Sequence, residues 1–398
     1  LYVGSHQTER GFFLKMHAPV GVISVNPQFY HTNNIASANY PVGALNQGAS
    51  PTDTVAAPNT TLDDAFQNPK GNGFLKAMNK GLIGCKRTSS AKFGDFEASL
   101  GYNIVADEKK HLGLAVRFSA PTGNKAEAIY MLEPIFGRNG HWGAGGEIIG
   151  HWKFWESDTD DKYAQIVFDG DALHLFNSTT MRSFDLAGNG SGSKYLLLGK
   201  YAGTPGVFQN EIVNAVNVTT ISTQSSFAIE GNFALAFDFH WNNFSFALGY
   251  EGWGRSCEKL KINCGCPGSI NYNDYAVLGR QQPFLRTAAF TAINLCQPNA
   301  TIGESLDYVA ALPVGVSEIK DATLSASRLS ETDALDVDGQ RARSVYTNKP
   351  FAQIQYTWRD SDYNPYLAIS GGAEIPSGKN QNSAARFWNI GVQGGLAF

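Results

Sequence analysis

Apolar residues occupy every second position in several long segments of the chain. One pair of segments shows this clearly, with apolar residues at Phe96, Ala98, Leu100, Tyr102 and Ile104 and again at Leu112, Leu114, Val116 and Phe118. A repeat of two residues is typical of a β-strand whose two faces meet different surroundings. The pattern therefore predicts two long strands joined by the short polar segment between them.

The same alternation recurs in residues 12–20, 141–169, 227–251 and 352–375. The predicted strands have roughly ten to fifteen residues, whereas strands of soluble sheets usually have about five or six. A tilted strand needs about 9 to 11 residues to cross a bilayer, and Trp and Tyr gather near the strand ends, where membrane interfaces would lie. These lengths favour membrane-spanning strands over the alternative, a soluble β-sandwich.

Short and long connections between the predicted strands alternate along the chain. The short turns follow Val105, Trp155, Trp241 and Arg359, and the longest connections lie near residues 21–92, 171–226 and 257–344. An up-and-down barrel requires such alternation when its short turns all lie on one side of a membrane. We therefore predict an all-β fold, a transmembrane antiparallel up-and-down β-barrel of about twelve strands, within a range of roughly ten to fourteen. Residues 1–398 would form this one domain, with the longest connections as extracellular loops.

Composition agrees with a sheet and excludes one class of partner. Charged residues make up 17% of the chain, below the roughly 25% of typical soluble domains, while 42 Gly and 25 Phe are present. The net charge is −4, and acidic and basic residues are interspersed. Because no basic face could hold a phosphate backbone, we expect no nucleic-acid partner.

Charged and polar residues between the apolar positions would face the interior of the barrel. In the predicted register these pore-lining candidates are Lys15, His17, Glu97, Arg117, Glu147, His151, Lys153, Asp238, His240, Glu251, Arg255, Lys349, Arg359 and Glu374. Both signs of charge are present. The residues could line a water-filled constriction, or pair with one another and fill a narrow barrel, and the sequence leaves both readings open.

Cysteine and histidine spacing gives no sign of a metal, a cofactor or an active site. Four cysteines, Cys257, Cys264, Cys266 and Cys296, fall in one predicted loop without a second chelating pair or a nearby His. Disulfides among them are the preferred interpretation, and spacing does not show which of them pair. Several His residues have carboxylates nearby in sequence, but none belongs to a nucleophile motif, so we expect no enzymatic activity and no cofactor.

The last twelve residues alternate up to a terminal aromatic residue. Counting back in twos from the end gives Phe398, Leu396, Gly394, Val392, Ile390 and Trp388. This element resembles the terminal strand of bacterial outer-membrane β-barrel proteins, which ends in an aromatic residue, usually Phe. In that family the barrel assembly machinery recognises the element. The resemblance therefore implies that Phe398 and the apolar residues alternating with it act as an assembly signal.

The resemblance also implies a location and a function. The chain length and the cysteine-bearing loops are similar to those of porin-type and major outer-membrane proteins of Gram-negative bacteria. Such a protein would lie in the outer membrane, contact lipid and lipopolysaccharide, pass small polar solutes or ions by passive diffusion, and could form a homo-oligomer. General-diffusion porins typically have sixteen strands, which this chain does not show, so pore width stays open. The alternative is a surface barrel with a closed lumen, acting as an adhesin or a structural outer-membrane protein.

Overall fold

A computed structural model gives the fold of the chain. The described residues are 2–4, 9–27, 39–41, 54–56, 59, 62–72, 75–84, 87–88, 92–158, 162–202, 207–262, 272–277, 334–358, 364–377 and 386–396. Within them the fold is predominantly β, with a large antiparallel sheet, as the alternation predicts.

The strands and helices are as follows. The strands are β1 Tyr2–Gly4, β2 Gly11–His17, β3 Val20–Gly21, β4 Ser24–Val25, β5 Asn39–Pro41, β6 Thr54–Ala56, β7 Arg87–Thr88, β8 Lys92–Phe93, β9 Phe96–Ala106, β10 Lys110–Ala120, β11 Gly143–Glu156, β12 Lys162–Ser183, β13 Leu197–Ala202, β14 Val207–Asn214, β15 Thr220–Trp241, β16 Phe244–Arg255, β17 Glu258–Ile262, β18 Tyr275–Val277, β19 Val345–Thr357, β20 Pro365–Ser377 and β21 Phe387–Leu396. The helices are α1 Leu62–Gln67 and α2 Ala215–Thr219, and two 3₁₀ turns span Ser193–Tyr195 and Tyr272–Asp274. No helix in these described ranges is long and apolar enough to cross a membrane.

The main sheet has twelve strands, in the order β1-β2-β9-β10-β11-β12-β15-β16-β19-β20-β21, with β17 paired to β15. Every pairing in it is antiparallel, and its long members have between 10 and 22 residues. Consecutive strands pair with each other along most of the chain. The connections are therefore hairpins rather than crossovers, which is the expected up-and-down arrangement.

The two faces of the sheet differ in polarity. One row across four strands consists of Phe12, Tyr102, Leu114 and Ile148, each paired with the next, and these side chains are 71%, 41%, 46% and 41% exposed. A second row lies five positions along each strand, and therefore on the opposite face; it consists of His17, Glu97 and Ser119. We call the first side the outer face and the second side the inner face. The outer face exposes apolar side chains, while the inner face carries the charges.

The sheet curves strongly around its inner face. Lys15 of β2 forms an ion pair with Glu147 of β11, with 2.6 Å between Nζ and Oε1. These strands are three positions apart in the sheet, which in a flat sheet corresponds to about 14 Å. The side chains can meet only because the strands between them bend around a common interior.

The predicted loop near 171–226 is shorter than expected. The strand β12 continues to Ser183 and β15 begins at Thr220. In this extension Leu173, Leu175 and Phe227 lie buried together in a cluster. Apolar residues thus pack on the inner face as well, so the strict alternation of apolar and polar positions stops although the strands continue.

A small separate unit occupies the segment between β12 and β15. The strands β14, β13 and β18 form a three-stranded sheet. Its buried cluster consists of Leu186, Leu198, Val213, Ala215, Val218 and Val277. The predicted loop near 257–344 therefore supplies β17 to the main sheet and β18 to this unit, and the predicted loop near 21–92 contains the short strands β3 to β8 and α1.

Candidate functional site

The centre of the inner face is a network of ion pairs. Glu147 binds Lys15 through one carboxylate oxygen and accepts a hydrogen bond from the Ser99 hydroxyl, at 2.6 Å, through the other. Arg117 on β10 contacts Glu97 on β9 at 2.5 Å and Asp171 on β12 at 2.8 Å. Four of the predicted pore-lining residues are thus brought together on one curved surface.

Two acidic residues of this surface were missed by the sequence analysis. Asp169 pairs with Ile149 of β11 and Asp171 with Glu147, so both belong to the inner face. They flank Gly170, and an Asp-Gly-Asp sequence is typical of a turn. One signal was present in the spacing: Asp169 and Asp171 occupy the same alternate positions of β12 as Gln165, although Val167 interrupts the polar series.

The connection between β10 and β11, residues 121–142, folds into the interior. Its conformation is held by Glu133, whose carboxylate accepts hydrogen bonds from the backbone N–H groups of Glu127, Ala128, Ile129 and Tyr130. Asp95, immediately before β9, accepts bonds from the N–H groups of Gly123 and Arg138. Both ends of the segment are therefore anchored to one carboxylate at the rim of the sheet.

Arg138, at the inner end of this segment, joins two opposite strands. Its Nη1 donates to Glu97 on β9 at 2.5 Å and its Nε donates to Glu230 on β15 at 2.7 Å. These strands are four positions apart in the sheet. Burial by itself lowers the pKa of Arg138, but the hydrogen bonds that Arg138 donates to Glu230 and Glu97 outweigh burial and raise the pKa above its usual value. Arg138 therefore stays positively charged, and its guanidinium links β9 and β15 across the concave inner face.

A cavity of about 650 Å³ lies beside Arg138, at the end of the sheet that carries the long connections. Its wall includes Arg182, whose guanidinium makes two hydrogen bonds to Glu258, at 2.7 and 2.8 Å. His141 also lines it, donating from Nδ1 to the carbonyl of Phe176 at 2.7 Å. Burial lowers the pKa of His141, so this ring is neutral at pH 7 and adds no charge to the cavity.

His17 and Arg255 belong to the same cavity. The His17 Nδ1 is 4.0 Å from Glu97 Oε2, and the ring is largely exposed. Arg255 packs over the ring of Phe227, 4.3 Å from its centroid, and next to Trp253. Three of the predicted pore-lining residues, His17, Glu97 and Arg255, thus line this cavity.

The short-turn end of the inner face carries a second polar group. His151 stacks on His111 with 5.5 Å between ring centroids. Lys153 binds Glu156 at 2.8 Å and lies over the ring of Tyr163. The predicted candidates His151 and Lys153 therefore lie at the short-turn end of the sheet, away from Arg138.

Asp238, His240 and Ser245 form a chain of hydrogen bonds at this end. Ser245 donates to His240 Nδ1 at 2.8 Å, and His240 Nε2 donates to Asp238 at 2.9 Å. A hydrolytic site would also need backbone N–H groups free to bind a developing oxyanion. Here β15 pairs with β12 on one side and β16 on the other, so its N–H groups serve the ladder. We therefore interpret this cluster as polar lining.

The remaining predicted liners lie on β16, β19 and β20. Glu251 and Lys349 are paired across β16 and β19 and form an ion pair at 2.9 Å. Glu374 lies on β20, opposite Phe387. Arg359 lies outside the described residues. Elsewhere this side of the inner face carries small or uncharged residues such as Gly249 and Gln353.

The predicted assembly signal and the four cysteines of the predicted loop are only partly within the described residues. Trp388, Ile390 and Val392 are strongly exposed on β21, and Leu396 is its last residue, paired with Pro365. Phe398 lies outside the described residues. Cys257 is exposed and accepts a hydrogen bond from the Ser344 N–H at 3.3 Å. Cys264, Cys266 and Cys296 lie outside the described residues, so the disulfides stay a prediction.

Comparison of the chain with models of known protein families found no match, and comparison with curated proteins found none either.

Proposed function

We propose that the chain forms a β-barrel in the outer membrane of a bacterial cell envelope and passes small hydrophilic solutes or ions through its interior. The observation that carries this proposal is the division of the main sheet into an apolar exposed face and a charged inner face. A soluble protein rarely exposes a contiguous apolar surface of this extent. A barrel in lipid needs such a surface around its whole circumference.

Closure of the sheet is part of the proposal. The two end regions of the sheet, β1 with β2 and β21, have no pairing with each other among the described residues. An open strand edge is unstable in hydrocarbon because its N–H and C=O groups have no partner. The curvature shown by the pair Lys15 and Glu147 already turns β2 toward the strands that follow. We therefore propose that β21 pairs with this first region and closes the barrel.

A narrow, charged passage follows from this arrangement. Barrels of about eight strands have interiors that side chains can fill, and a barrel of about ten to twelve strands is somewhat wider. Arg138 crosses part of that width, whereas at Gly249 and Gln353 no ion pair between distant strands is present among the described residues, and the ring of Phe351 packs against Gly249. Charged rings at a constriction select among ions and solutes. The passage is therefore suited to small solutes rather than to bulky ones.

Electrical recording tests the proposed function. The purified, folded chain is added to a planar lipid bilayer in KCl solution, and stepwise, steady currents are expected. The same protein after heat denaturation is the control for leakage caused by unfolded chain. If protein with the circular dichroism spectrum of a folded sheet remains silent in repeated trials, the channel proposal is wrong. Silence would favour the alternative, a surface barrel closed by the ion pairs around Arg138 and Arg117.

Replacing Arg138 with Gln is expected to make the channel more selective for cations. The change removes the positive charge that binds Glu97 and Glu230 and so adds one net negative charge at the constriction. A unit charge at about 4 Å in water-like surroundings contributes about 1 kcal/mol, or about fivefold in ion partitioning. The reversal potential in a KCl gradient measures this ratio. Arg341→Gln removes the same charge from an exposed position, and an equal shift in that control would contradict the role of Arg138.

A further inference from the structure

Three arginines, Arg138, Arg182 and Arg255, line the cavity beside Arg138. Among the described residues, Arg255 is the one of the three whose charge has no acidic partner. Arg138 pairs with Glu97 and Glu230, and Arg182 pairs with Glu258. The side chain of Arg255 makes no ion pair there, and its buried Nε has no hydrogen-bond acceptor. Buried polar groups are nearly always satisfied, so an exception points to a missing partner.

The geometry explains why Arg255 is left unpaired. Its direct neighbour across the β15 and β16 pair is Glu230, which would ordinarily be its ion-pair partner. The Glu230 carboxylate instead accepts a hydrogen bond from Arg138 at 2.7 Å. Glu230 is thus bound to Arg138 of segment 121–142 rather than to Arg255, and the Arg255 guanidinium lies unpaired at the cavity wall.

The surroundings of Arg255 are apolar and aromatic. Phe227 is buried under its guanidinium, the ring centroid of Trp253 is 5.7 Å from Arg255 Cζ, and Leu175 and Phe136 also line the cavity. The acidic wall residues Asp95, Glu97, Glu230 and Glu258 are each bound to donors of the chain. The volume of about 650 Å³ lies in the range of about 300 to 1,000 Å³ found for small-molecule sites.

We propose that this cavity is a binding subsite for a small organic carboxylate, whose negative charge pairs with Arg255 and whose apolar body packs against Phe227 and Trp253. A carboxylate matches the forked donors of a guanidinium, and aromatic walls match an apolar body. The inference rests on the proposed function, because the cavity would be the outer mouth of the channel. It gives the passage a preference for organic anions.

Calorimetric titration of the folded, detergent-solubilised chain tests the subsite without requiring a current. The probes are benzoate, and benzamide, which has nearly the same shape but no charge. Benzoate is expected to bind more tightly than benzamide. Arg255→Gln should weaken benzoate binding by about tenfold or more and leave benzamide unchanged, since a charged hydrogen bond is lost. Arg341→Gln, at an exposed position, should bind benzoate as the unaltered chain does.

The outcomes separate this inference from the proposed function. Equal affinity for the two probes, no detectable binding, or unchanged benzoate binding in Arg255→Gln would overturn the subsite even if bilayer currents are normal. Specific benzoate binding without currents would support the subsite and contradict the channel. If Arg255→Gln does not fold, Arg255→Lys serves in its place. Lys keeps the charge and loses the fork, so it should bind benzoate more weakly than Arg but still more tightly than benzamide.

Discussion

Replacing Leu248 with Arg is expected to destabilise the chain strongly in a lipid bilayer. Leu248 lies near the middle of β16 and is 66% exposed on the outer face, paired with Phe237 and Ala352. A guanidinium on a lipid-facing position costs about 2 to 4 kcal/mol near the bilayer midplane. The free energy of unfolding, measured by urea titration in lipid vesicles, should fall by about that amount.

The matched control is Ala247→Arg, at the next residue of the same strand. Ala247 pairs with Asp238 and Gln353, so it belongs to the inner face. A new guanidinium there would lie beside a carboxylate, and the free energy of unfolding should change by less than about 1 kcal/mol. An equal loss in both variants would show that the two faces do not differ in their surroundings.

Replacing Gly145 with Ala is expected to disturb the packing of β11 against β12. A Cβ atom at Gly145 would lie 1.8 Å from the carbonyl oxygen of Ala172, which is backbone and cannot rotate away. Overpacking costs about 1 to 3 kcal/mol when side chains can shift. Here a strand must move, so we expect the upper end of that range, seen as a lower urea midpoint in vesicles.

Gly146→Ala is the control for this change. A Cβ atom at Gly146 would meet only the carbonyl oxygen of Ala115, at 3.8 Å, which is ordinary contact. Its effect on the free energy of unfolding should stay within about 0.5 kcal/mol. If Gly146→Ala is as harmful as Gly145→Ala, the loss of a glycine itself, and not the close approach of β11 and β12, accounts for the damage.

The close packing at Gly145 also affects the ion pair between Arg117 and Asp171. Gly145 lies opposite Arg117 on β10 and Leu173 on β12. The short distance between the strands at this point helps Arg117 to reach Asp171, two strands away. A displaced β12 would therefore separate this ion pair as well. We expect Gly145→Ala to alter ion selectivity in whatever fraction of the chain still folds.

The strands could be predicted from the sequence because one physical rule governs them. Neighbouring residues of each long strand meet opposite surroundings, so the polarity alternates with a period of two residues. Inner-face pairs such as Glu251 with Lys349 follow from the same rule once the strands are aligned. The rule failed beyond Asp171 on β12, where Leu173 and Leu175 are buried on the inner face while Phe176 stays exposed.

The bridge formed by Arg138 could not be predicted from alternation because it lies between strands. Its position depends on hydrogen bonds that backbone N–H groups donate to Asp95 and Glu133, which are distant in the sequence from one another. One local signal was present. Gly137, Asn139 and Gly140 around it have φ values of 114°, 52° and 82°, and glycine and asparagine are the residues that adopt such values readily. A Gly-Arg-Asn-Gly sequence therefore indicates a tight turn that presents an arginine.

Contact with lipid, measured at single residues, directly tests whether the outer face of the main sheet lies against a bilayer. A photoreactive benzophenone amino acid is placed at Ile354, which is exposed on the outer face, or at its neighbour Gln353, which lies on the inner face opposite Ala247. The chain is folded into vesicles that contain radiolabelled lipid and is then irradiated. We expect strong labelling of the protein at Ile354 and little at Gln353. Equal labelling at both residues, or labelling at neither in a chain that folds without detergent or lipid, would contradict the proposal that the outer face of the sheet contacts lipid and the inner face does not.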